Sequence, residues 1–179
     1  MALAVVVVAV VLLARGSGGK GTSSTFGGAT TAPDLSAVQT FSGLSRNHVS
    51  GTVDYPQTPP VGGDHAPIWQ DCGFYPSPVA TEQGVHSMEH GAVWITYQPS
   101  LAAKEVAVVR HLAQRTTYVL ASPFPNLPSP VVASAWGEQL RLPSATDPRL
   151  AAFVAKYRQG PQTPEPGAPC SGGAGSPQT

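Results

Sequence analysis

The residue types best able to do chemistry are concentrated between His65 and His90, a segment with three of the five histidines and one of the two cysteines. The segment ends in HSMEH (86–90), whose H-x-x-E-H spacing occurs in a class of zinc peptidases. In a helix, His86 and His90 share one face. Glu82 lies one turn earlier on the same stripe, and Glu89 follows His86 by three residues. The pattern therefore predicts a patch of two imidazoles with one or two carboxylates.

A metal site built on this patch needs at least one further ligand from elsewhere in the chain. His65 is the leading candidate, because the glycines at 62 and 63 let the loop bend and Asp64 could orient the imidazole. Further candidates for the remaining ligand positions are Cys72, Glu82, Glu89, His48 and Tyr75. Donors of this kind suit copper or zinc better than magnesium or calcium. We therefore predict a copper or zinc site formed by His65, His86 and His90.

Two other interpretations of the same residues stay open. In the first, His86 and His90 only donate hydrogen bonds to the backbone of the neighbouring loop, and the domain is a structural or interaction module of the cell envelope without a metal. In the second, the domain is a metal-dependent hydrolase with Glu89 as its general base. Such enzymes bring another carboxylate ligand from a distant helix of a much larger domain. We therefore do not expect the chain to be an enzyme.

The hydrophobic patterns predict an α+β fold with one mixed or mainly antiparallel sheet and two or three helices packed on it. The predicted strands span residues 92–97, 118–123, 131–136 and 140–142, with a weaker one at 48–55. The predicted helices span residues 82–90, 101–116 and 148–157, with Thr81, Ser100 and Asp147 as their caps. Gly91 is expected to end the first helix, and Met88 is expected in the core rather than at the site.

Composition divides the chain into four segments. Residues 1–14 are apolar and predict a membrane anchor or signal segment, and residues 15–46 predict a flexible Gly/Ser/Thr linker. Residues 47–158 predict the globular domain, and residues 159–179 a Pro/Gly-rich tail held to it only through Cys170. The apolar run spans roughly 20 Å as a helix, less than the ~30 Å hydrocarbon core of a membrane. We therefore expect the anchor to be truncated in this sequence.

Charge and cysteine content bear on partners and location. Ten basic and ten acidic side chains cancel without any basic cluster, so no nucleic-acid partner is expected and a membrane is the one predicted partner. Arg15 and Lys20 alone would keep the following chain in the cytoplasm. Two cysteines favour a disulfide between Cys72 and Cys170 in an oxidising compartment, with Cys72 as a thiolate ligand or a free core cysteine as the alternatives. We expect the domain on the extracytoplasmic side of the cell membrane, behind a single N-terminal anchor.

The order of several rare residues resembles a bacterial family, the domain of unknown function 3105. The resemblance rests on YP (55–56), PPVGGDH (59–65), CGFY (72–75), VHSMEHGAV (85–93) and PCSGG (169–173), together with Trp69 and Glu82. It covers residues 48–170 and marks the candidate ligands and Cys72 as positions that define the domain. Membership implies one N-terminal membrane helix and a domain outside the cytoplasm. It implies no activity, because the family has none established.

Overall fold

A six-stranded mixed sheet lies at the centre of residues 31–178, the part of the chain that the computed structural model describes. The strands are β1 (Gln39–Thr40), β2 (Gly73–Phe74), β3 (Val93–Tyr97), β4 (Val119–Pro123), β5 (Val131–Ala135) and β6 (Glu138–Leu142). Their order in the sheet is β1-β6-β5-β3-β4-β2. The pairs β3–β4 and β2–β4 are parallel, and the other three pairs are antiparallel. With the helices α1 (Thr81–Glu89), α2 (Ala103–Arg115) and α3 (Pro148–Tyr157), this confirms the predicted α+β fold.

The helices lie on opposite faces of this sheet. Successive side chains of a strand point to opposite faces, so alternate residues of β3 enter different cores. Val93 and Ile95 pack in one buried cluster with side chains of α2 and α3. Trp94 packs in a second cluster with Val85 and Met88 of α1. Met88 is fully buried, which confirms its predicted place in the core.

One of the three predicted helix caps is present in the structure. Asp147 accepts a hydrogen bond from the backbone amide two residues later at 3.0 Å, so the predicted cap of α3 is confirmed. The caps predicted for the other helices are wrong, because Thr81 already lies inside α1 and α2 begins beyond Ser100. Gly91 ends α1 as predicted, with a φ of +96° that favours glycine and a 3.0 Å hydrogen bond to the Met88 carbonyl.

A long loop and the C-terminal tail cover the same face as α1. Residues 48–55 do not form the predicted strand, and only a single β-bridge joins His48 to His65. The tail is held at more points than predicted, by the Cys72–Cys170 disulfide and by β-bridges at residues 174 and 178. The predicted linker, 15–46, contains β1 near its end, so ordered structure begins earlier than composition suggested.

The predicted membrane segment, 1–14, lies outside the described residues. Between residues 31 and 178, no helix is both long enough and apolar enough to cross a membrane.

Candidate metal centre

Four side chains bring one possible ligand atom each to within 4.8 Å of one another: His48, His65, His86 and Glu89, called the His–Glu cluster below. Oε2 of Glu89 lies 2.9 Å from Nε2 of His65 and 3.9 Å from Nε2 of His48. Ligand atoms of a tetrahedral ion with bonds near 2.05 Å are about 3.3 Å apart, so these distances are close to those of a coordination shell. The cluster therefore could hold a metal ion.

Two parts of the chain supply the cluster. The last turn of α1 carries His86 and Glu89, three residues apart on one side of the helix. The other two histidines come from the long loop, where the amide of Val49 donates to the His65 carbonyl at 2.8 Å. The amide of His65 donates in turn to the Asn47 carbonyl at 3.0 Å. These two backbone hydrogen bonds place His48 beside His65.

Further hydrogen bonds fasten the loop to α1. The hydroxyl of Ser87 donates to the Gln70 carbonyl at 2.7 Å, and the amide of Gln70 donates back to that hydroxyl at 3.1 Å. Oε1 of Glu82 accepts from the amide of Val53 at 2.9 Å, so this carboxylate braces the loop and lies outside the cluster. The loop is thus held rigidly enough to set the positions of its two histidines.

The Nδ1 atoms of three histidines all face backbone carbonyls. Nδ1 of His65 lies 2.8 Å from the Gly63 carbonyl, and Nδ1 of His86 lies 2.6 Å from the Ala66 carbonyl. Nδ1 of His90 lies 2.6 Å from the carbonyl of residue 169. A carbonyl oxygen only accepts, so each Nδ1 carries the hydrogen. In the neutral imidazole, Nε2 then keeps its lone pair, which is the arrangement found in metal-binding histidines.

The Nε2 atoms point toward one another. Nε2 of His86 lies 2.9 Å from Nε2 of His90, where two lone pairs would repel unless a proton or a cation lies between them. Burial lowers the pKa of His86 to about 4, an effect that the hydrogen bond to Ala66 opposes and that the neighbouring histidines reinforce. His86 is therefore neutral near pH 7, with Nε2 free to bind an ion.

His90 lies beside the His–Glu cluster rather than in it. Its Nε2 is 3.5 Å from Oε2 of Glu165 in the tail, and its ring lies 4.8 Å from the ring of Trp69, centre to centre. The predicted role of His90 as a ligand stays a prediction. Its position, 2.9 Å from His86, keeps it within reach of an ion bound there.

Other predicted ligands are placed elsewhere. Cys72 cannot be a thiolate ligand, because it forms a disulfide with Cys170 across a Cα–Cα distance of 5.4 Å. Asp64 accepts a hydrogen bond from the side chain of Asn47 at 2.9 Å, so it does not orient the imidazole of His65 as predicted. The Gly63 carbonyl has that role instead.

The sequence predicts His48 only as a further candidate ligand, and it does not predict a role for Glu165. The only sequence signal at Glu165 is a lone carboxylate between two prolines in a tail of low complexity, which predicts no site.

The chain matches the profile of a protein family over residues 48–172, and that family is described as "Protein of unknown function (DUF3105)". The matched residues include the whole His–Glu cluster and both cysteines. No curated protein and no solved structure matches the chain. The family description assigns no activity, so the chemistry has to be inferred from the site.

Proposed function

Because the chain belongs to the DUF3105 family of proteins of unknown function, we propose a function from the geometry of the site: binding of a divalent transition metal, zinc or copper. The ion is held by Nε2 atoms of His48, His65 and His86 and by the carboxylate of Glu89. The role is metal handling or sensing rather than turnover of a substrate. The protein acts as a metal-binding domain outside the cytoplasm, tethered to the membrane.

The observation that carries this proposal is the orientation of the buried imidazoles. His65 and His86 both direct Nδ1 toward a carbonyl and leave Nε2 for the cluster. Among the described residues, Nε2 of His65 has no hydrogen-bond partner, although the side chain is fully buried. A buried polar atom without a partner is costly unless something binds it. A metal ion would satisfy this atom and its neighbours together.

The donor set narrows the choice of ion. Imidazole nitrogens suit zinc and copper, whereas magnesium and calcium prefer shells made of oxygen. The set holds neither a thiolate nor a thioether, because Cys72 is in the disulfide and Met88 is in the core. Soft sulfur ligands favour copper(I), so this set favours zinc(II) or copper(II). The side chain of His48 is 50% exposed, which leaves the cluster open to solvent on one side.

The disulfide supports a location outside the cytoplasm, because such bonds persist in oxidising compartments and are rare in the cytosol. The apolar start of the sequence, residues 1–14, supports a membrane tether on that side. Fractionation of cells that express the tagged protein tests both. Protein found in the membrane fraction and accessible to external protease is the expected result, and protein in the cytosolic fraction would contradict the proposal.

Titration of the purified protein with zinc and copper(II) tests the metal site directly. His86→Asn is the informative variant, because the asparagine amide sits near the position of Nδ1 and can still donate to Ala66, while no Nε2 is present. We expect wild-type protein to bind about one equivalent of metal, and His86→Asn, which keeps three of the four proposed ligands, to bind it at least about tenfold more weakly. His111→Asn is the matched control, since His111 lies exposed on α2. Absence of binding by wild-type protein would refute the proposal.

A second function is favoured by the same Nδ1 hydrogen bonds. They tie α1 to the loop and to the tail, so the histidines could serve a purely structural module of the cell envelope. In that case His86→Asn keeps the bracing bond and retains stability, and neither it nor wild-type protein responds to metal. His86→Ala then loses stability whether or not a chelator is present, by about 1 to 3 kcal/mol for the Ala66 carbonyl left without its donor.

A further inference from the structure

His90 and Glu165 continue the line of ligand atoms outward from the His–Glu cluster. Nε2 of His90 lies 2.9 Å from Nε2 of His86, and Oε2 of Glu165 lies 3.5 Å from Nε2 of His90. These two residues thus extend a series of possible metal-ligand atoms, which begins in the buried His–Glu cluster and ends at the Glu165 carboxylate in the tail.

Exposure rises sharply at the outer end of this series. His86 is 3% exposed and His90 is 4% exposed, whereas the side chain of Glu165 is 51% exposed. An ion arriving on the side of the tail meets the Glu165 carboxylate before it meets the imidazole of His90 or His86. The series therefore has an outer end in water and an inner end at the His–Glu cluster.

The tail holds Glu165 in place beside His90. The amide of Glu165 donates to the Glu89 carbonyl at 3.1 Å, which fixes the backbone of the tail against the last turn of α1. The side chain of Gln159 donates to the His90 carbonyl at 2.5 Å, and Nδ1 of His90 donates to the Pro169 carbonyl. These bonds fix the imidazole of His90 and the backbone of Glu165, and none of them uses Nε2 of His90 or the Glu165 carboxylate.

We propose that His90 and Glu165 form an outer metal position from which an ion passes to His86 and the His–Glu cluster, and through which it leaves. This inference rests on the proposed metal site. Transfer between sites is fast when a new ligand binds before the old one departs, which requires donor atoms at about the 3.3 Å spacing of neighbouring ligands in one shell. The two measured spacings, 2.9 Å and 3.5 Å, lie on either side of that value.

The outer position differs from an ordinary ion pair between His90 and Glu165. An ion pair at half exposure contributes little and has no bearing on exchange of a metal. Ions that enter and leave past the half-exposed His48 would bypass this position. Ions that pass through it are slowed in both directions when it is lost, and the ratio of the two rates is unchanged. Rates and affinity therefore have to be measured separately.

Stopped-flow mixing of the metal-free full-length protein with zinc measures uptake, and mixing of the zinc-loaded protein with a chelator measures release. We expect Glu165→Gln to slow both rates at least about tenfold, which corresponds to a barrier to transfer that is higher by about 1.4 kcal/mol. The dissociation constant should change by less than about twofold. His90→Asn, which keeps a donor near Pro169, should slow both rates similarly, and the double variant should be no slower than either single one.

Glu138→Gln is the control for electrostatic steering, since it removes the same charge from a side chain that bonds Thr40 at the sheet edge. Steering changes uptake but not release. Unchanged release in Glu165→Gln would therefore overturn the outer position, and so would a loss of affinity at equilibrium, which would make Glu165 a resident ligand. Failure of the proposed metal site itself is distinguishable, because wild-type protein would then bind no zinc.

Discussion

Nε2 of His65 lies 2.9 Å from Oε2 of Glu89, yet the imidazole and the carboxylate do not form a hydrogen bond of acceptable geometry. Both side chains are almost completely buried. With Nδ1 donating to the Gly63 carbonyl, a neutral His65 offers only a lone pair to the carboxylate. Two acceptor atoms at this distance would repel, and either a proton between them or a cation bound by both removes the repulsion. The pair therefore supports the proposal that Glu89 binds the metal together with His65.

Glu89→Gln separates a ligand from a general base. As a ligand, Glu89 supplies the only negative charge of the His–Glu cluster, so we expect the substitution to weaken zinc binding at least about tenfold. Isothermal titration calorimetry measures the change. A general base would leave metal affinity intact, and that result would favour the hydrolase interpretation of the H-x-x-E-H motif.

Glu82→Gln is the matched control for this prediction. Glu82 lies on the same helix, but its carboxylate accepts a hydrogen bond from the Val53 amide instead of joining the cluster. We expect Glu82→Gln to lower the free energy of unfolding by about 1 kcal/mol, because an amide oxygen accepts the hydrogen bond from Val53 more weakly than a carboxylate does. Its zinc affinity should equal that of the wild type.

The lowered pKa of His86 makes the stability of the metal-free protein depend on pH. The pKa is about 4 in the folded protein and about 6.5 in an unfolded chain, so the unfolded state binds more protons between these values. Stability therefore falls as the pH falls from about 6.5 toward 4, and this contribution is constant at higher pH. Between pH 7 and pH 5 the loss from this residue is about 2 kcal/mol.

Urea unfolding at pH 7 and pH 5 in the presence of a chelator measures this loss. His86→Asn should show a smaller difference between the two pH values than wild-type protein, because it has no imidazole to titrate. His111→Asn, changed at an exposed position on α2, should keep the wild-type difference. Equal differences in all three proteins would show that His86 is not the group responsible.

How much of this site could be predicted depends on how local each contact is. His86 and Glu89 were predicted correctly as neighbours because a helix places residues three apart on one side. The glycines before His65 indicated a loop that could approach the helix. His48 and Glu165 were beyond such reasoning, because backbone hydrogen bonds between segments far apart in sequence bring them to the site.

In the fold, too, the elements set by local sequence could be predicted and those set by distant contacts could not. The strands β3, β4 and β5 were predicted because β-branched and apolar residues run through each of them. The strands β1 and β2 have two residues each, too few for any alternation of apolar and polar side chains to be visible. β1 pairs with β6 and β2 pairs with β4, and both partner strands lie far away in sequence. No local pattern of residues therefore predicts either pairing.

The disulfide between Cys72 and Cys170 should contribute strongly to stability, because it closes a loop with a sequence separation of 98 residues. In the chain-entropy account, a loop of this size contributes about 4 to 5 kcal/mol. We expect the double variant Cys72→Ser, Cys170→Ser to lose about that much in urea unfolding. A thiol reductant should lower the stability of wild-type protein to the same level and leave the double variant unchanged. A loss below about 1 kcal/mol would contradict the prediction.

Gly84→Ala tests how α1 is docked on the sheet. Alanine is favoured over glycine inside a helix by about 1 kcal/mol, which alone would stabilise the protein. A Cβ at position 84, however, would lie 2.7 Å from Cζ3 of Trp94. The indole cannot move easily, because it is fully buried and its Nε1 donates to Ser122 at 3.1 Å. Overpacking of this kind costs about 1 to 3 kcal/mol, so we expect a net loss of stability.

The same substitution should disturb the His–Glu cluster, because relief of the clash moves α1 away from Trp94 and carries His86 and Glu89 with it. We expect Gly84→Ala to lower both the unfolding midpoint in urea and the affinity for zinc. Gln83→Ala is the matched control, since Gln83 is a partly exposed neighbour on α1, and its effect should stay within about 0.5 kcal/mol. Increased stability in Gly84→Ala would show that α1 can shift without cost. Close packing of α1 against Trp94 would then not determine the position of the His–Glu cluster.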